Sequence, residues 1–500
     1  MKNIAKKLMY NPVKNLNPIG VLTKSVGAGI DAYGRYMAKN NEAPVIPKAD
    51  FDYTAEAKGD VFSVGFGRKS ILPPDLRKQK YYMAGYSMYK PTRGILDTIY
   101  AHAIWIDDKS GKGGVVFVSL DAVGMSNRDI LIIRKCLKPF CERTGCRSVQ
   151  ITCTHTHAGI DTLGFWGPLP KTGQTTEHMN IVRDSIIYSC ETAYASRRDG
   201  ALYLGSVEVE GIQGDGRTPV VYSKALTRLR FAPSDGSREI FLINFAAHPE
   251  TLSDENVMIS ADYTTYFREK IRDTTGADTI FFSGALGGMI TTADKGSNMG
   301  ERIERTKEIG CELADCALGI KDEKRLSPKI SMIRQELYFE VSNYVLMTMA
   351  LLDVIKADRY FTKNSPNGLV LKTEMNYFEI DSLKMLMLPG EIFPEFVYGG
   401  YLGAEECSSG LSPEEANPKP LIEIAGDPDL LIFGLANDEV GYMVPPNDFL
   451  LSEESPFIER GIDRLGRRHY EETNSLGIKT GPKVAEVFAE MMEAVKNAKG

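Results

Sequence analysis

The chain has 500 residues, 43% hydrophobic and 25% charged, the profile of an ordinary globular protein. A formal net charge of −7 offers no basic field to hold nucleic acid. No run approaches the roughly 18 consecutive apolar residues of a membrane-spanning helix, so no transmembrane segment is predicted.

Residues 1–55 are rich in Pro and Lys and are predicted to be irregular, with Lys2, Lys6, Lys7 and Lys14 ahead of any acid. The stretch 15–30 is interrupted by Asn, Pro and Lys24 and lacks the apolar run of a signal peptide. It reads as a lead-in or a surface helix. From Val61 the pattern becomes regular. Residues 100–107 and 114–120 read as strands, the second a near-continuous apolar run suited to a sheet buried on both faces. Residues 129–143 read as a helix, with Ile130, Ile133, Leu137 and Phe140 at helical spacing and Pro139 as a candidate kink or stop. A strand over 148–154 follows, and this strand–helix–strand order predicts a largely parallel pairing.

Further on come a helix over 176–197 and a strand near 201–209. A hairpin over 225–246 turns through Ser234-Asp235-Gly236-Ser237. A helix at 262–274, a strand at 278–283 and a helix at 300–317 complete the middle third. The last third mixes strands (369–379, 384–388, 430–434) with helices (345–355, 482–496). With no repeat or linker after residue 60, the prediction is an α/β fold: a single large domain over 56–500, with mixed β-sheets flanked by helices. The eight cysteines make no CxxC pair and read as buried, reduced thiols, which favours a cytoplasmic location.

Six histidines are present, and two of them stand in Cys153-Thr154-His155-Thr156-His157-Ala158-Gly159, at the end of a predicted buried strand. Loops at strand C-termini carry ligands in α/β sheets. In extended chain, residues i and i+2 point the same way, so both imidazoles would face one site. His248, in Asn244-Phe245-Ala246-Ala247-His248-Pro249-Glu250, ends a second apolar strand. Two imidazoles from two strand ends suit a catalytic zinc, which takes about three protein ligands and keeps an open position. Glu391, after Pro389-Gly390, and Tyr442, after Leu435-Ala436-Asn437, supply candidate oxygen donors.

These motifs, in this order, resemble the neutral/alkaline non-lysosomal ceramidases. Cys153–Gly159 is similar to that family's T-H-T-H-S-G segment, and Phe245–Pro249 to F-A-x-H-P. Pro389-Gly390-Glu391 is similar to P-G-E, and the run from Leu435 to Tyr442 to L-A-N…G-Y. The resemblance extends from about Val61 to Gly481. It implies a zinc-dependent amidohydrolase that cleaves an N-acyl amide bond by attack of a zinc-bound water, with a small-molecule or lipid-like substrate and a place in sphingolipid metabolism. His155, His248, Glu391 and Tyr442 would bind Zn2+. His157 would hydrogen-bond the oxyanion or the substrate, Arg217 would face the site, and Tyr470 would assist there. Asp262 would have a supporting role. Two departures stand out. Ile290 occupies the position of the family's substrate-contacting Ser, with Thr291 one residue away, and Gly216 replaces the Asn before the catalytic Arg. Full-length members carry a C-terminal β domain, which is expected to be absent here because the chain ends soon after the Tyr470 segment. Two rival readings remain: a zinc hydrolase of another amide or an ester, and a catalytically silent ligand-binding relative. A Ser/His hydrolase finds no G-x-S-x-G elbow.

Overall fold

The computed structural model describes residues 18–500, with side chains from residue 24 onward. The four N-terminal lysines lie outside the described residues. The first described element is a helix, α1 (Pro18–Ala38), one of the two readings given for residues 15–30 and a departure from the irregular segment read over 1–55 as a whole. It packs against the second sheet described below, so its order comes from tertiary contacts that local sequence does not announce.

Two sheets lie face to face. The larger has nine strands among the described residues, in the order β11-β9-β8-β6-β1-β3-β4-β5, with β13 also on β6. Its members are β1 (Phe62–Ser70), β3 (Tyr100–Asp107), β4 (Val115–Leu120), β5 (Ser148–Cys153), β6 (Arg198–Glu208), β8 (Ala225–Pro233), β9 (Ile240–Phe245), β11 (Asp278–Ser283) and β13 (Lys324–Leu326). The smaller sheet has the order β14-β16-β17-β19, with β15 beside β16. It contains β14 (Ile330–Glu340), β15 (Arg359–Phe361), β16 (Leu369–Ile380), β17 (Leu383–Met387) and β19 (Leu431–Phe433). Two-residue and three-residue ladders fill the loops: β2 (Gly94–Ile95) with β10 (Met258–Ile259), β7 (Gln213–Asp215) with β12 (Ile290–Thr292), β18 (Glu391–Ile392) with β20 (Tyr442–Met443), and β21 (Gly461–Ile462) with β22 (Arg468–His469).

The inner faces meet in one apolar layer. Phe117, Leu242, Ile280 and Phe282 of the large sheet pack with Phe378, Met385, Met387 and Phe433 of the small one. Burial of side chains of this size stabilises by roughly 1.5–3 kcal/mol each. Helices cover the outer faces. α2 (Asn127–Thr144) and α3 (Thr176–Ala195) lie over β3–β5, through Ile130, Ile133, Leu137, Val182 and Ile186. α4 (Tyr263–Thr275) and α5 (Met299–Gly319) cover β9 and β11. α10 (Thr480–Lys499) covers the small sheet through Val484, Phe488 and Met491. Short helices α6 (Tyr344–Leu351), α7 (Pro394–Tyr398), α8 (Pro413–Ala416) and α9 (Leu421–Ala425) line the connections. This is the predicted α/β domain with mixed sheets.

The predicted strand–helix–strand unit is found, with β4 and β5 parallel about α2; β9/β11 and β17/β19 are the other parallel pairs within the two sheets. Two details differ from the sequence reading. Pro139 does not end α2: it sits on the exposed face, and the helix runs on to a left-handed cap at Gly145. Among the cysteines, Cys146, Cys153, Cys190 and Cys407 are buried as expected, but Cys136 is exposed; all eight are free.

A candidate metal centre where the two sheets meet

The strands of the three parallel pairs carry the candidate ligands out of the sheets. β5 leads to His155, β9 to His248, β17 to Glu391 and β19 to Tyr442. Asn437 of the Leu-Ala-Asn segment fixes these ends against one another. Its backbone has φ +63°, its amide donates to Gln150 Oε1 at 2.6 Å, and its Oδ1 accepts from Ile151 N and Arg134, both at 2.9 Å. Arg134 of α2 also donates to Glu374 Oε2 of the small sheet at 2.8 Å. Glu374 is buried, yet Arg134 and Arg334 outweigh the burial and hold its pKa down at about 2.

The imidazoles converge, though not by strand alternation. β5 ends at Cys153, and His155 adopts φ +67°, a left-handed conformation that is costly for a non-glycine residue. Two hydrogen bonds fix it: His155 N donates to Ala122 O at 3.0 Å, and Nδ1 lies 2.5 Å from Val123 O. His248 is held in the same manner, with its backbone N 2.8 Å and its Nδ1 2.7 Å from Ile290 O. In both rings Nδ1 faces a backbone carbonyl, which turns Nε2 inward toward Glu391. This is the arrangement by which backbone acceptors orient metal-ligating histidines.

Glu391 closes the group. Its Oε1 lies 3.4 Å from His155 Nε2, and its Oε2 lies 3.2 Å from His248 Nε2. Burial works against its charge, but the two imidazoles prevail and hold the carboxyl well below its usual range. Tyr442 is the parallel partner of Glu391 in β18/β20 and is buried; burial and Glu391 push its phenol well up. Its hydroxyl donates to Met289 Sδ at 3.8 Å. Two imidazole nitrogens and a carboxylate form a donor set of the kind zinc takes. His157 also stands close: its Nε2 is 3.2 Å from His155 Nε2, and ring nitrogens of His155, His157 and His248 all lie within 4.8 Å of one another. Burial and His155 push the His157 pKa down to about 3, so it is neutral at pH 7.

The remaining predicted residues flank this core. Arg217 is buried and engaged with carboxylates, 2.6 Å from Glu395 Oε1 and 3.6 Å from Glu471 Oε1, with its guanidinium 4.6 Å over the Phe393 ring. It therefore organises the wall behind Tyr442, as the Phe393 and Tyr442 rings meet edge-to-face at 5.6 Å. The Tyr470 ring lies 6.4 Å from that of Tyr442. Asp262 caps α4 and accepts from Leu252 N at 3.0 Å and Tyr263 N at 2.8 Å, which ties down the loop after His248. The Ile290 side chain is packed into the core and only its carbonyl serves the site, whereas Thr291 Oγ1 donates to Glu250 Oε1 at 2.5 Å.

Two acids in the quoted motifs were not singled out. Glu250 lies two residues past His248, fully buried, with Lys295 Nζ 2.6 Å from its Oε1. Its pKa falls to about 2 despite burial. His157, His248 and the Lys295 ammonium together outweigh the burial. Glu439 accepts from Gly441 N at 2.9 Å and has its pKa raised well up by burial and by Glu391. An acid within three residues of a candidate ligand, after His248 for Glu250 and before Tyr442 for Glu439, was the available signal for both. His155, His157, Glu391, Glu439 and Tyr442 line a cavity of about 180 Å³ whose other walls are largely apolar, among them Leu163, Phe165, Trp166, Leu346 and Leu476.

Fold and site together define a two-sheet α/β protein with a His/carboxylate centre at the floor of an apolar cavity. The family model for neutral/alkaline non-lysosomal ceramidases (N-terminal part) matches residues 62–316, and the chain belongs to that family. Among solved structures, neutral ceramidase from Pseudomonas aeruginosa shares the fold with a TM-score of 0.63 and 18% identity, covering 88% of this chain and 75% of that one. A ceramidase complexed with C2 matches with the same TM-score at 16% identity, over 88% of this chain and 76% of its own.

Proposed function

We propose that this chain is a zinc-dependent amidohydrolase that cleaves the N-acyl bond of a ceramide-like substrate. The observation that carries the reading is the pair of imidazoles, His155 and His248, each with Nδ1 turned to a backbone carbonyl and Nε2 turned to Glu391. His155, His248, Glu391 and Tyr442 would hold the ion. When bound, zinc supplies a Lewis acid for the acyl carbonyl and brings water to a pKa near 7, the range that makes it a nucleophile at neutral pH. The chain's own residues do the rest. Leu163, Phe165, Trp166 and their neighbours take up the apolar part of the substrate and exclude water. His157, neutral and beside the centre, contacts the reacting carbonyl. Arg217, locked by Glu395 and Glu471, holds Phe393 and hence Tyr442 in place.

A different amide or an ester as substrate is the second reading, and Ile290 favours it. Its side chain is in the core and offers no hydroxyl where the family has a Ser, while the Thr291 hydroxyl is already given to Glu250. Elemental analysis of the purified chain should find one zinc, and a strong chelator should abolish turnover of N-acyl substrates. A metal-free protein that turns over unaffected by chelator would refute the reading. A substrate panel then separates the two: ceramide should be turned over more slowly than another N-acyl or ester compound, and efficient ceramide cleavage would remove the second reading.

A further inference from the structure

Away from the metal centre, thiols gather where α2 ends. The helix closes at Gly145, whose φ of +71° is the left-handed cap that glycine adopts without strain. Gly145 N and Cys146 N both donate to Cys141 O, the latter at 3.2 Å. A cap of this kind turns the residue after the glycine back onto the last helical turn, where an apolar contact usually forms. Here that contact falls to two thiols, Cys141 and Cys146. The chain beyond the cap is clamped. A Cβ on Gly113 would lie 1.9 Å from Gly145 O, and Arg147 N donates to Gly114 O at 3.0 Å. Cys146 is buried, whereas Cys141 is half-buried and open to small reagents. Cys190 of α3 is fully buried in the same core, and burial pushes its thiol up. Cys136, five residues before Cys141 on α2, is exposed.

We propose that Cys141 and Cys146 are a modification site, an oxidisable pair at which a peroxide closes a reversible disulfide across the α2 cap. A disulfide needs Cα atoms roughly 4.4–6.8 Å apart, a span that one backbone hydrogen bond between the two residues keeps. Cys141 is the attacking sulfur. It is the accessible one, and the neighbouring Cys146 thiol holds its pKa below the ordinary thiol value. Cys141 and burial push the Cys146 thiol up, so it stays protonated until its partner is oxidised. The Cys141 thiolate attacks one oxygen of hydrogen peroxide. The O–O bond breaks, a sulfenic acid forms, and the departing hydroxide takes up the proton that Cys141 released. The Cys146 sulfur then attacks the Cys141 sulfur. The S–O bond breaks, and the second hydroxide leaves with the Cys146 proton. Two thiols and one peroxide give one disulfide and two waters. The bond would pin the last turn of α2, the helix whose Arg134 reaches Glu374 on the other sheet.

The test uses the full chain, reduced and then freed of reductant. A small excess of hydrogen peroxide is added, the reaction is quenched, and the chain is unfolded and alkylated. The oxidised protein should carry two fewer alkyl groups than the reduced one. Tryptic peptides 136–143 and 144–147 should be joined, with fragmentation placing the bond between Cys141 and Cys146 and leaving Cys136 alkylated. Dithiothreitol should restore both thiols. Cys136→Ser should form the same bond. Cys146→Ser should stop at a sulfenic acid on Cys141, which dimedone traps. Circular dichroism before quenching should match that of the reduced chain. Oxidation that falls on Cys136 while Cys141 and Cys146 stay alkylated would overturn the proposal. So would a bond from Cys141 to Cys190, or a disulfide that forms only after the native spectrum is lost.

Discussion

Two places in the molecule gather imidazole and carboxylate side chains, and they differ in what fills the space between. At the meeting of the sheets, His155, His248 and Glu391 face one another with no cationic side chain bonded among them. Around the β21/β22 hairpin, Asp448, Asp463, His469, Glu471 and Glu472 form groups of equal density. There Arg467 occupies the middle, 2.7 Å from both Asp448 Oδ1 and Asp463 Oδ2, and His469 Nδ1 lies 3.0 Å from Glu472 Oε1. The guanidinium already supplies the positive charge and the donors that those carboxylates require. The first group has no such cation among its bonded partners, and its Nε2 atoms face the Glu391 carboxylate. A cluster whose carboxylates are already met by a guanidinium has less call for a metal than one whose charge is not.

The largest expected effect tests that contrast directly. His155→Ala and His248→Ala should each lose most of the bound zinc and all measurable turnover, because a site of few ligands depends on each one. His469→Ala should leave zinc content unchanged by the same elemental analysis. Equal zinc loss in all three would place metal at the hairpin and dissolve the distinction.

Next in size is His157→Ala. Zinc should remain near normal while turnover falls by ~100-fold or more, the scale of losing one donor to a developing oxyanion. A variant as depleted of zinc as His155→Ala would make His157 a ligand, and would redraw the first group as three imidazoles.

A third prediction concerns the ion pair that keeps the two sheets aligned at the first group. Glu374→Ala should destabilise the fold by roughly 3–5 kcal/mol, since it leaves the partly buried Arg134 without its carboxylate partner. With its pKa held at about 2 and an ordinary value of 4.5, Glu374 contributes stability that is present above pH 4.5 and is lost as pH falls toward 2. Chemical denaturation at pH 7 and pH 3 should show this loss in the unsubstituted protein and much less of it in Glu374→Ala.

The smallest effect belongs to the hairpin. Burial opposes the charge on His469, but Glu472 and Asp448 more than offset it, and its pKa is raised. The stability this gives is present below pH 6.5 and is lost as pH rises through the raised value. Thermal melts of His469→Asn should show a flatter pH dependence there than the unsubstituted protein. An unchanged profile would mean that the hairpin carries no net charge coupling.

Much of the framework was legible because it rests on local periodicity. Strands 100–107 and 278–283 were read to the residue, since continuous apolar runs between polar turns leave little choice of boundary. β14 was not read. Its centre, Arg334-Gln335-Glu336, breaks the apolar pattern, and it is a strand because β16 pairs with it along its whole length and Gln335 is satisfied by Ala49 N and Pro47 O. The same division runs through the site. Sequence named His155 and His157 from an extended-chain argument, whereas the left-handed turn at His155 is what brings the rings together.

The sequence by itself determined the α/β class, the strand ends that bear His155, His248, Glu391 and Tyr442, and the order of motifs that places the chain in its family. These are properties of short segments: hydrophobic period, turn residues, and the residue type that follows each strand. Only the tertiary structure decided which histidine nitrogens face Glu391, that Arg217 is held by Glu395 and Glu471, that the Ile290 side chain leaves the site to its own carbonyl, and that Glu250 stands behind His157. Those outcomes depend on which carbonyl or carboxylate another segment brings to within about 3 Å, at which a hydrogen bond is strong, and no local pattern specifies a partner a hundred residues away.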